Sequence, residues 1–165
     1  RDIVVLEEDL KISTVTHRID GFRETMAAHG LRHDRSIYCV PSRRTRRGAS
    51  LWRGQDAYRV AKDLLESGRR PDAFMTGNDY FALGLYAELR ERGIRVPDDA
   101  LVFGWGDYPF SSFIDPSLST LRVPSVEVAR RAAVRLLSLL DGTATPGPVI
   151  EYIEPELVFR GSTAH

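Results

Sequence analysis

Short runs of consecutive apolar residues alternate with longer amphipathic segments along the first two thirds of the chain. The runs are typical of buried strands and lie at 3–6, 37–40, 73–76 and 101–105. The amphipathic segments between them predict helices that cover 14–29, 54–67 and 79–92. A glycine ends each predicted helix. Strands that alternate with helices predict parallel pairing through right-handed crossovers, and therefore an open, mainly parallel α/β sheet with helices on both faces.

The pattern changes after Asp107. A short apolar run at 118–123 leads into a fourth helix over 125–140, and a Gly-, Pro- and Thr-rich turn follows. One face of this helix is apolar at helical spacing and consists of Val128, Ala132, Leu136 and Leu140. Two late strands are predicted at 149–153 and 156–159, before a polar tail.

Composition and charge exclude several classes of protein. The 165 residues contain 23 Lys and Arg and 23 Asp and Glu, with 42% hydrophobic residues, which is typical of one folded domain and not of a disordered chain. The zero net charge is evidence against nucleic-acid binding by the chain as a whole. No apolar run approaches the roughly 20 residues that span a bilayer. Cys39 is the single cysteine, so no internal disulfide can form, and its apolar neighbours predict a buried, unreactive thiol.

Polar and aromatic residues follow the predicted strands, where parallel α/β sheets bind ligands. These candidates are Thr14, Arg18, Trp52, Asn78, Asp79, Trp105 and Asp107. An indole ring can stack on a ligand, while a guanidinium and an amide fix hydroxyl or carbonyl groups. This combination suits a small polyol, a sugar or a nucleobase.

Structural roles are alternatives for the same residues. Asp79 is the expected N-cap of the third helix, and Asn78 could hold a tight turn. Arg18 could pair with Asp20 or Glu8. Trp52 could be a surface aromatic residue, although a pocket is favoured. The arginines at 43–47 are expected to form a solvated loop, with phosphate binding as the minor alternative.

Motifs for catalysis, metals and cofactors are weak. Gly104 and Gly106 begin a GxGxxG pattern that lacks its third glycine, and no P-loop is present. Gly30 separates His29 from His33, so these histidines should not share a helix face as a metal pair. We therefore expect no enzymatic activity, no bound metal and no cofactor.

Seven segments, taken in order, resemble the motifs of one protein family. They are 18–22 (RIDGF), 71–74 (PDAF) with 78–84 (NDYFALG), 93–99 (GIRVPDD), 104–107 (GWGD), 116–121 (PSLSTL) and 156–163 (ELVFRGST). Together they resemble the effector-binding domain of the lac repressor / galactose repressor family of bacterial transcription regulators. The resemblance covers essentially the whole chain. It implies a periplasmic-binding-protein-like fold with two lobes.

The resemblance implies that this chain is only the later half of that two-lobed domain. Residues 1–120 are expected to form the C-terminal lobe, 121–148 a crossover segment and helix of the N-terminal lobe, and 149–165 the return strands and tail. No DNA-binding head is present in these residues. Because the chain opens directly into a strand at Arg1, we also expect an unfilled sheet edge or an exposed apolar face there.

The family's ligand contacts fall on five positions of this sequence. Arg18 matches the effector-binding arginine, and Thr14 matches a hydroxyl contact one turn earlier. Trp52 matches a stacking aromatic residue, and Asn78 matches a polar contact at a strand end. The sequence departs from the family at the fifth position, where Gly106 replaces an aspartate that accepts from ligand hydroxyls or amines. Asp107, the next residue, is the candidate for that role.

The resemblance implies a ligand-sensing portion of a cytoplasmic DNA-binding transcriptional regulator that binds a sugar or related polar metabolite. It also implies a homodimer, with surfaces on the helix at 79–92 and the aromatic loop at 108–113, and no membrane partner. The alternative is a solute-binding protein of a sugar transporter, which shares the fold. A third possibility, an α/β enzyme, would need His17 or Ser111 as a catalytic group.

Overall fold

A six-stranded sheet forms the centre of the molecule. The computed structural model describes residues 1–41 and 53–164. The strands are β1 (Ile3–Glu8), β2 (Ile37–Val40), β3 (Ala73–Thr76), β4 (Leu101–Trp105), β5 (Ser119–Arg122) and β6 (Glu156–Val158). Their spatial order is β2-β1-β3-β4-β5-β6, with every pair parallel except β5 and β6. The predicted open, mainly parallel α/β sheet is therefore confirmed.

Helices lie on both faces of this sheet. They are α1 (Ser13–Ala28), α2 (Arg53–Glu66) and α3 (Asp79–Glu91). A fourth helix, α4 (Ser125–Leu140), follows β5 and has no buried residue. Helix α1 packs through Phe22 and Met26 against Val5, and we call this side the α1 face. Helices α2 and α3 cover the opposite side, the α2–α3 face, which contains the larger core. Both faces of β1 are thus buried, which explains its uninterrupted apolar run.

The larger core joins alternate strand residues to the inner faces of α2 and α3. Its fully buried large side chains include Leu6, Phe74, Phe81, Leu64, Leu65, Leu85 and Leu89. Val4 and Leu6 point into this core, whereas Val5 between them points to the α1 face. This alternation is the period of two that a strand imposes.

Helices α2 and α3 approach each other so closely that glycine is required at the crossing. A Cβ atom added to Gly84 would overlap the backbone carbonyl of Gly54 and would lie 2.8 Å from the amide nitrogen of Tyr58. These neighbours are backbone atoms, which cannot rotate away as a side chain can. The glycine at 84 therefore sets the distance between the two helices.

Cys39 is exposed, so the prediction of a buried thiol was wrong. Within the described residues β2 pairs with β1 alone, and an edge strand in this position leaves alternate side chains in solvent. Partial desolvation nevertheless raises the pKa of the Cys39 thiol, and the negative charges of Asp9 and Glu7 add to that effect. The thiol is accessible but not activated.

The strand expected at 149–153 does not form, because residues 149–155 pair with no strand in the described part of the chain. The strand predicted at 156–159 is present as β6. Helix α4 has the predicted bounds but no buried residue, and its apolar face is solvent-exposed, with Leu136 at 59% and Leu140 at 74%. The inward face predicted for this helix therefore has no cover within the described residues.

The expectation of an open edge or exposed face at Arg1 was wrong. Strand β1 lies inside the sheet, between β2 and β3, and its residues Val4, Val5 and Leu6 are buried. Within the described residues, many of the exposed apolar side chains lie instead on α4 and on the segment at 149–159.

We predict that Gly84→Ala lowers the free energy of unfolding by about 1–3 kcal/mol, because the added methyl group overpacks the crossing of α2 and α3. Urea denaturation monitored by circular dichroism measures this change. Gly21→Ala is the matched control, since a Cβ atom there has nothing within 4 Å. It should be neutral or stabilising by up to about 1 kcal/mol, as expected for glycine in a helix. Equal destabilisation by both substitutions would contradict the crossing argument.

Candidate functional site

Arg18 forms the centre of the candidate site. It lies one turn into α1, and its guanidinium reaches the carboxyl ends of β1 and β3. Nη1 donates to the carbonyl oxygen of Gly77 at 2.7 Å, and Nη2 donates to Oε1 of Glu7 at 3.1 Å. Nε donates to the carbonyl oxygen of Thr14 at 3.2 Å. All three guanidinium nitrogens therefore have acceptors, which fix the plane of the group.

Trp105 lies at the end of β4, beside this arginine. The Cζ atom of Arg18 is 4.8 Å from the centroid of the Trp105 ring, a cation–π arrangement. The two side chains border a cleft of about 490 Å³ on the α1 face, which we call the Arg18 cleft. Its lining consists of Val5, Glu7, His17, Arg18, Gly21, Phe22, Thr25, Met75, Thr76, Gly77 and Trp105. A cleft with an apolar floor and a few convergent polar groups is the usual form of a small-molecule site.

Thr14 and Asn78 border this region without lining the cleft. Thr14 is exposed, and it accepts the hydrogen bond from Arg18 through its backbone carbonyl and not through its hydroxyl. Asn78 is buried, and its Oδ1 accepts from the backbone N–H of Phe81 at 3.1 Å, so it is the N-cap of α3. The prediction of Asp79 as the N-cap was therefore wrong by one residue.

Asp79 instead supplies a fully buried carboxylate at the start of α3. Its Oδ2 accepts from the hydroxyl of Ser111 at 2.7 Å and from the backbone N–H of Tyr108 at 3.1 Å. Its Oδ1 accepts from the hydroxyl of Thr120 at 2.7 Å. A Cβ atom at position 104 would overlap Oδ1, so Gly104 makes room for this carboxylate. Asp79 thus joins α3 to β5 and to the loop that follows β4.

Asp107 does not line the Arg18 cleft. Its backbone is left-handed, with a φ of 52°, and its carboxylate accepts from Arg122 Nε at 2.6 Å and from Arg160 Nη2 at 2.7 Å. Burial alone would raise the pKa of Asp107, but the hydrogen bonds and positive charges of the two arginines outweigh it, and the pKa lies below its ordinary value. This arrangement gives Asp107 a structural role, and its role in ligand binding stays a prediction.

Trp52 and the arginines at 43–47 lie outside the described residues. Of the five predicted site residues, the structure thus places Arg18 in the cleft, Thr14 and Asn78 next to it and Asp107 away from it. Glu7 and Gly77 were not predicted as site residues. The signal for Glu7 was available: an acidic residue directly follows four consecutive apolar residues near the end of a strand.

Four aromatic side chains form a second feature, the aromatic patch, on α3 and the loop after β4. It consists of Tyr80, Tyr108, Phe110 and Phe113. The Tyr80 ring centroid is 4.9 Å from those of both Tyr108 and Phe110. Phe113 is 86% exposed. Exposed aromatic side chains grouped in this way are characteristic of protein–protein interfaces.

Residues 1–41 and 53–164 contain neither a candidate metal site nor a candidate membrane-spanning helix. No group of three or more His, Cys, Asp or Glu side chains in these ranges is placed to hold a metal ion. The helices there include none with the length and apolar character needed to cross a membrane.

Comparisons with known proteins agree with this geometry. The family of periplasmic binding protein-like domains matches residues 1–163. The lactose operon repressor of Rhizobium radiobacter is 36% identical over 108 residues, which are 66% of this chain and 94% of that protein. The chain belongs to the lac repressor family. Its match lies in the periplasmic binding protein-like domain of these regulators.

Other members of the lac repressor family are similar over nearly the whole chain. The HTH-type transcriptional repressor PurR of Pasteurella multocida is 27% identical over 98% of this chain, which spans 46% of that protein. A solved sugar-binding transcriptional regulator of the LacI family from Escherichia coli, complexed with phosphate, is 26% identical with a TM-score of 0.83. It matches 98% of this chain, which spans 54% of that structure. The chain thus covers about half the length of these two relatives.

We predict that Asp107→Asn lowers the free energy of unfolding at pH 7 by about 1–3 kcal/mol, because it weakens charge-assisted hydrogen bonds from Arg122 and Arg160. Asparagine tolerates the left-handed backbone, so strain does not contribute. Because the pKa of Asp107 is lowered in the folded protein, its ionised carboxylate stabilises the fold fully above pH 3.8, the ordinary pKa of an aspartate. This contribution is lost as the pH falls through the lowered pKa.

Urea denaturation from pH 7 to about pH 2.5 should therefore show that the difference in the free energy of unfolding between wild type and Asp107→Asn becomes smaller in acid. Asp20→Asn is the matched control, since its carboxylate is exposed and lies 3.7 Å from Arg23. That control should change stability by less than about 0.5 kcal/mol at either pH. A gap of constant size across the titration would contradict the ion-pair role of Asp107.

Proposed function

We propose that this chain is the ligand-sensing portion of a DNA-binding transcriptional regulator. A small effector, a sugar or a related polar metabolite, binds at the Arg18 cleft and controls operator binding. The observation that carries this proposal is the position of Arg18, held by Glu7 and Gly77 at the carboxyl ends of parallel strands and stacked on Trp105. Relatives named as a lactose operon repressor and as a sugar-binding regulator support the choice of effector class.

The exposed surface of α4 supports a division of the protein between two lobes. In this proposal residues 1–120 belong to the C-terminal lobe, 121–148 cross to the N-terminal lobe, and 149–165 return from it. Large apolar side chains on α4 have no cover, among them Val126, Val134, Leu136, Leu137 and Leu140, each at least half exposed. Burying such a face is worth about 25 cal/mol per Å² of apolar surface, so an intact protein is expected to cover it.

Effector binding between the two lobes would favour a closed conformation over an open one. If the two conformations hold the DNA-binding heads differently, effector binding changes the affinity for the operator. The size of that change is limited by how much more tightly the effector binds one conformation than the other. The DNA-binding head is contributed by residues outside this chain. A regulator of this kind acts in the cytoplasm, where the operator is, and needs neither a membrane partner nor catalysis.

The alternative, a solute-binding protein of a transporter, shares the fold but has less support. The relatives described above are named as transcriptional regulators, and the ordered motifs extend to the closing segment at 156–163. An α/β enzyme is the third possibility. Ser111 lies in the loop after β4 and its hydroxyl donates to Asp79, whereas His17 lies in the Arg18 cleft. The two side chains therefore do not form a catalytic pair in this structure.

A screen for effectors tests the proposed function. In the full-length protein, a binding sugar should raise the melting temperature and change operator affinity in a gel-shift assay. Arg18→Ala should weaken effector affinity by about 10- to 100-fold, the effect of losing a charge-assisted hydrogen bond, and Trp52→Ala should also weaken it. Arg23→Ala, on the exposed side of α1, is the control and should respond as wild type does. An unchanged response of Arg18→Ala would show that the Arg18 cleft is not the effector site.

We also propose that the aromatic patch is part of a homodimer interface. Phe113→Asp places a charge at the most exposed position of the aromatic patch and should shift the protein from dimer to monomer in light scattering after size exclusion. Ala27→Asp adds the same charge on the outer side of α1 and should leave the dimer intact. A dimer that survives Phe113→Asp with unchanged dissociation would place the interface elsewhere.

A further inference from the structure

The carboxylate of Glu7 is a feature that the fold does not require. It lies near the end of β1 on the α1 face, is 2% exposed and borders the Arg18 cleft. An apolar residue at such a position would avoid the cost of burying a charge. Burial does raise the pKa of Glu7, while the hydrogen bond from the Glu8 backbone N–H and the charge of Arg18 oppose that effect. The side chain therefore needs an explanation in terms of what the cleft does.

Gly77 shows that the surroundings of Glu7 are built to accept it. A Cβ atom at position 77 would overlap Oε1 of Glu7 and would lie 2.9 Å from Oε2. The same residue offers its carbonyl oxygen to Arg18. Gly77 thus provides both the space for the Glu7 carboxylate and an acceptor for the Arg18 guanidinium, so the two side chains are held together.

Charge cancels inside the Arg18 cleft as a result. The lining contains one carboxylate, that of Glu7, and one guanidinium, that of Arg18, and the two pair directly at 3.1 Å. An arginine that faced a cleft alone would attract phosphate or carboxylate. Here an incoming anion would meet a buried carboxylate at the same contact, and the two negative charges would repel each other in a region of low dielectric constant.

Glu7 also keeps the capacity to accept hydrogen bonds from a ligand. Within the described part of the chain, both hydrogen bonds that Glu7 accepts go to Oε1, one from the Glu8 backbone N–H at 2.9 Å and one from Arg18. Oε2 is therefore available to a hydroxyl donor. A neutral polyol satisfies such an acceptor, whereas the dianionic phosphate of a sugar phosphate, which carries no donor hydrogen, does not.

We propose that Glu7 determines the specificity of the Arg18 cleft, so that it selects uncharged, hydroxyl-bearing ligands and rejects anionic ones. This inference deepens the proposed function and rests on it for the identity of the site. Glu7 is the discriminating residue, because it removes the positive charge that Arg18 would otherwise present. Replacing it with an uncharged residue of the same shape should open the cleft to anions.

Inorganic phosphate and the matched pair glucose and glucose 6-phosphate are suitable probes, applied to the intact protein at constant ionic strength. Isothermal titration and thermal shift should find no phosphate binding to wild type. Glu7→Gln should bind phosphate and glucose 6-phosphate at least ten-fold more tightly than wild type, and the gain should disappear in Glu7→Gln combined with Arg18→Gln. Glu24→Gln, which removes an exposed charge from α1, is the control and should behave as wild type.

The phosphate measurement does not depend on the natural effector. Equal phosphate affinity in wild type and Glu7→Gln would overturn the role of Glu7, whether or not a sugar controls operator binding. Failure of every sugar to alter operator binding would instead overturn the proposed function. If Glu7→Gln does not fold, as judged by circular dichroism, Glu7→Ser frees Arg18 in the same way and gives the same comparison.

Discussion

The buried carboxylate of Asp79 holds the carboxyl ends of the central strands in place. Three donors from separate parts of the chain converge on it: the Tyr108 backbone N–H and the hydroxyls of Ser111 and Thr120. A buried charge is stable only when its hydrogen bonds are complete, so these contacts must form together. The direction in which the chain leaves β4 follows from them. The same contacts hold the loop after β4 against α3, where Tyr108 meets Tyr80 in the aromatic patch.

The alternation of strands and helices could be predicted because the central strands carry apolar residues on both faces; β1 is buried on both, whereas alternate residues of β4 are half-buried. Uninterrupted apolar runs such as 3–6 and 101–105 then have a single explanation, and glycines mark the helix ends between them. Edge positions were harder to predict. Cys39 has apolar neighbours in an edge strand, and residues 149–153 have strand-like composition but no described partner, so local pattern alone gave the wrong environment for both.

The candidate site could be predicted in part. Arg18 and Asn78 lie at the strand ends where topology and family resemblance put them. The side chain of Asn78 caps α3, while Asp79 next to it makes the tertiary contacts, and composition cannot separate the two roles. Glu7 was missed because a charged residue after an apolar run usually marks the end of a strand. The role of Glu7 depends on Arg18, eleven residues later, and on Gly77, and these three residues come together only in the folded chain.

The absence of a side chain at Gly77 also has an evolutionary consequence. A lineage that carries glutamate at position 7 cannot accept alanine at 77 without losing space for the carboxylate, whereas a small residue at 7 removes that conflict. The two positions should therefore co-vary among members of the family. A change from uncharged to anionic ligands would begin with a substitution at residue 7. Each intermediate sequence would stay folded provided that Gly77 is replaced last.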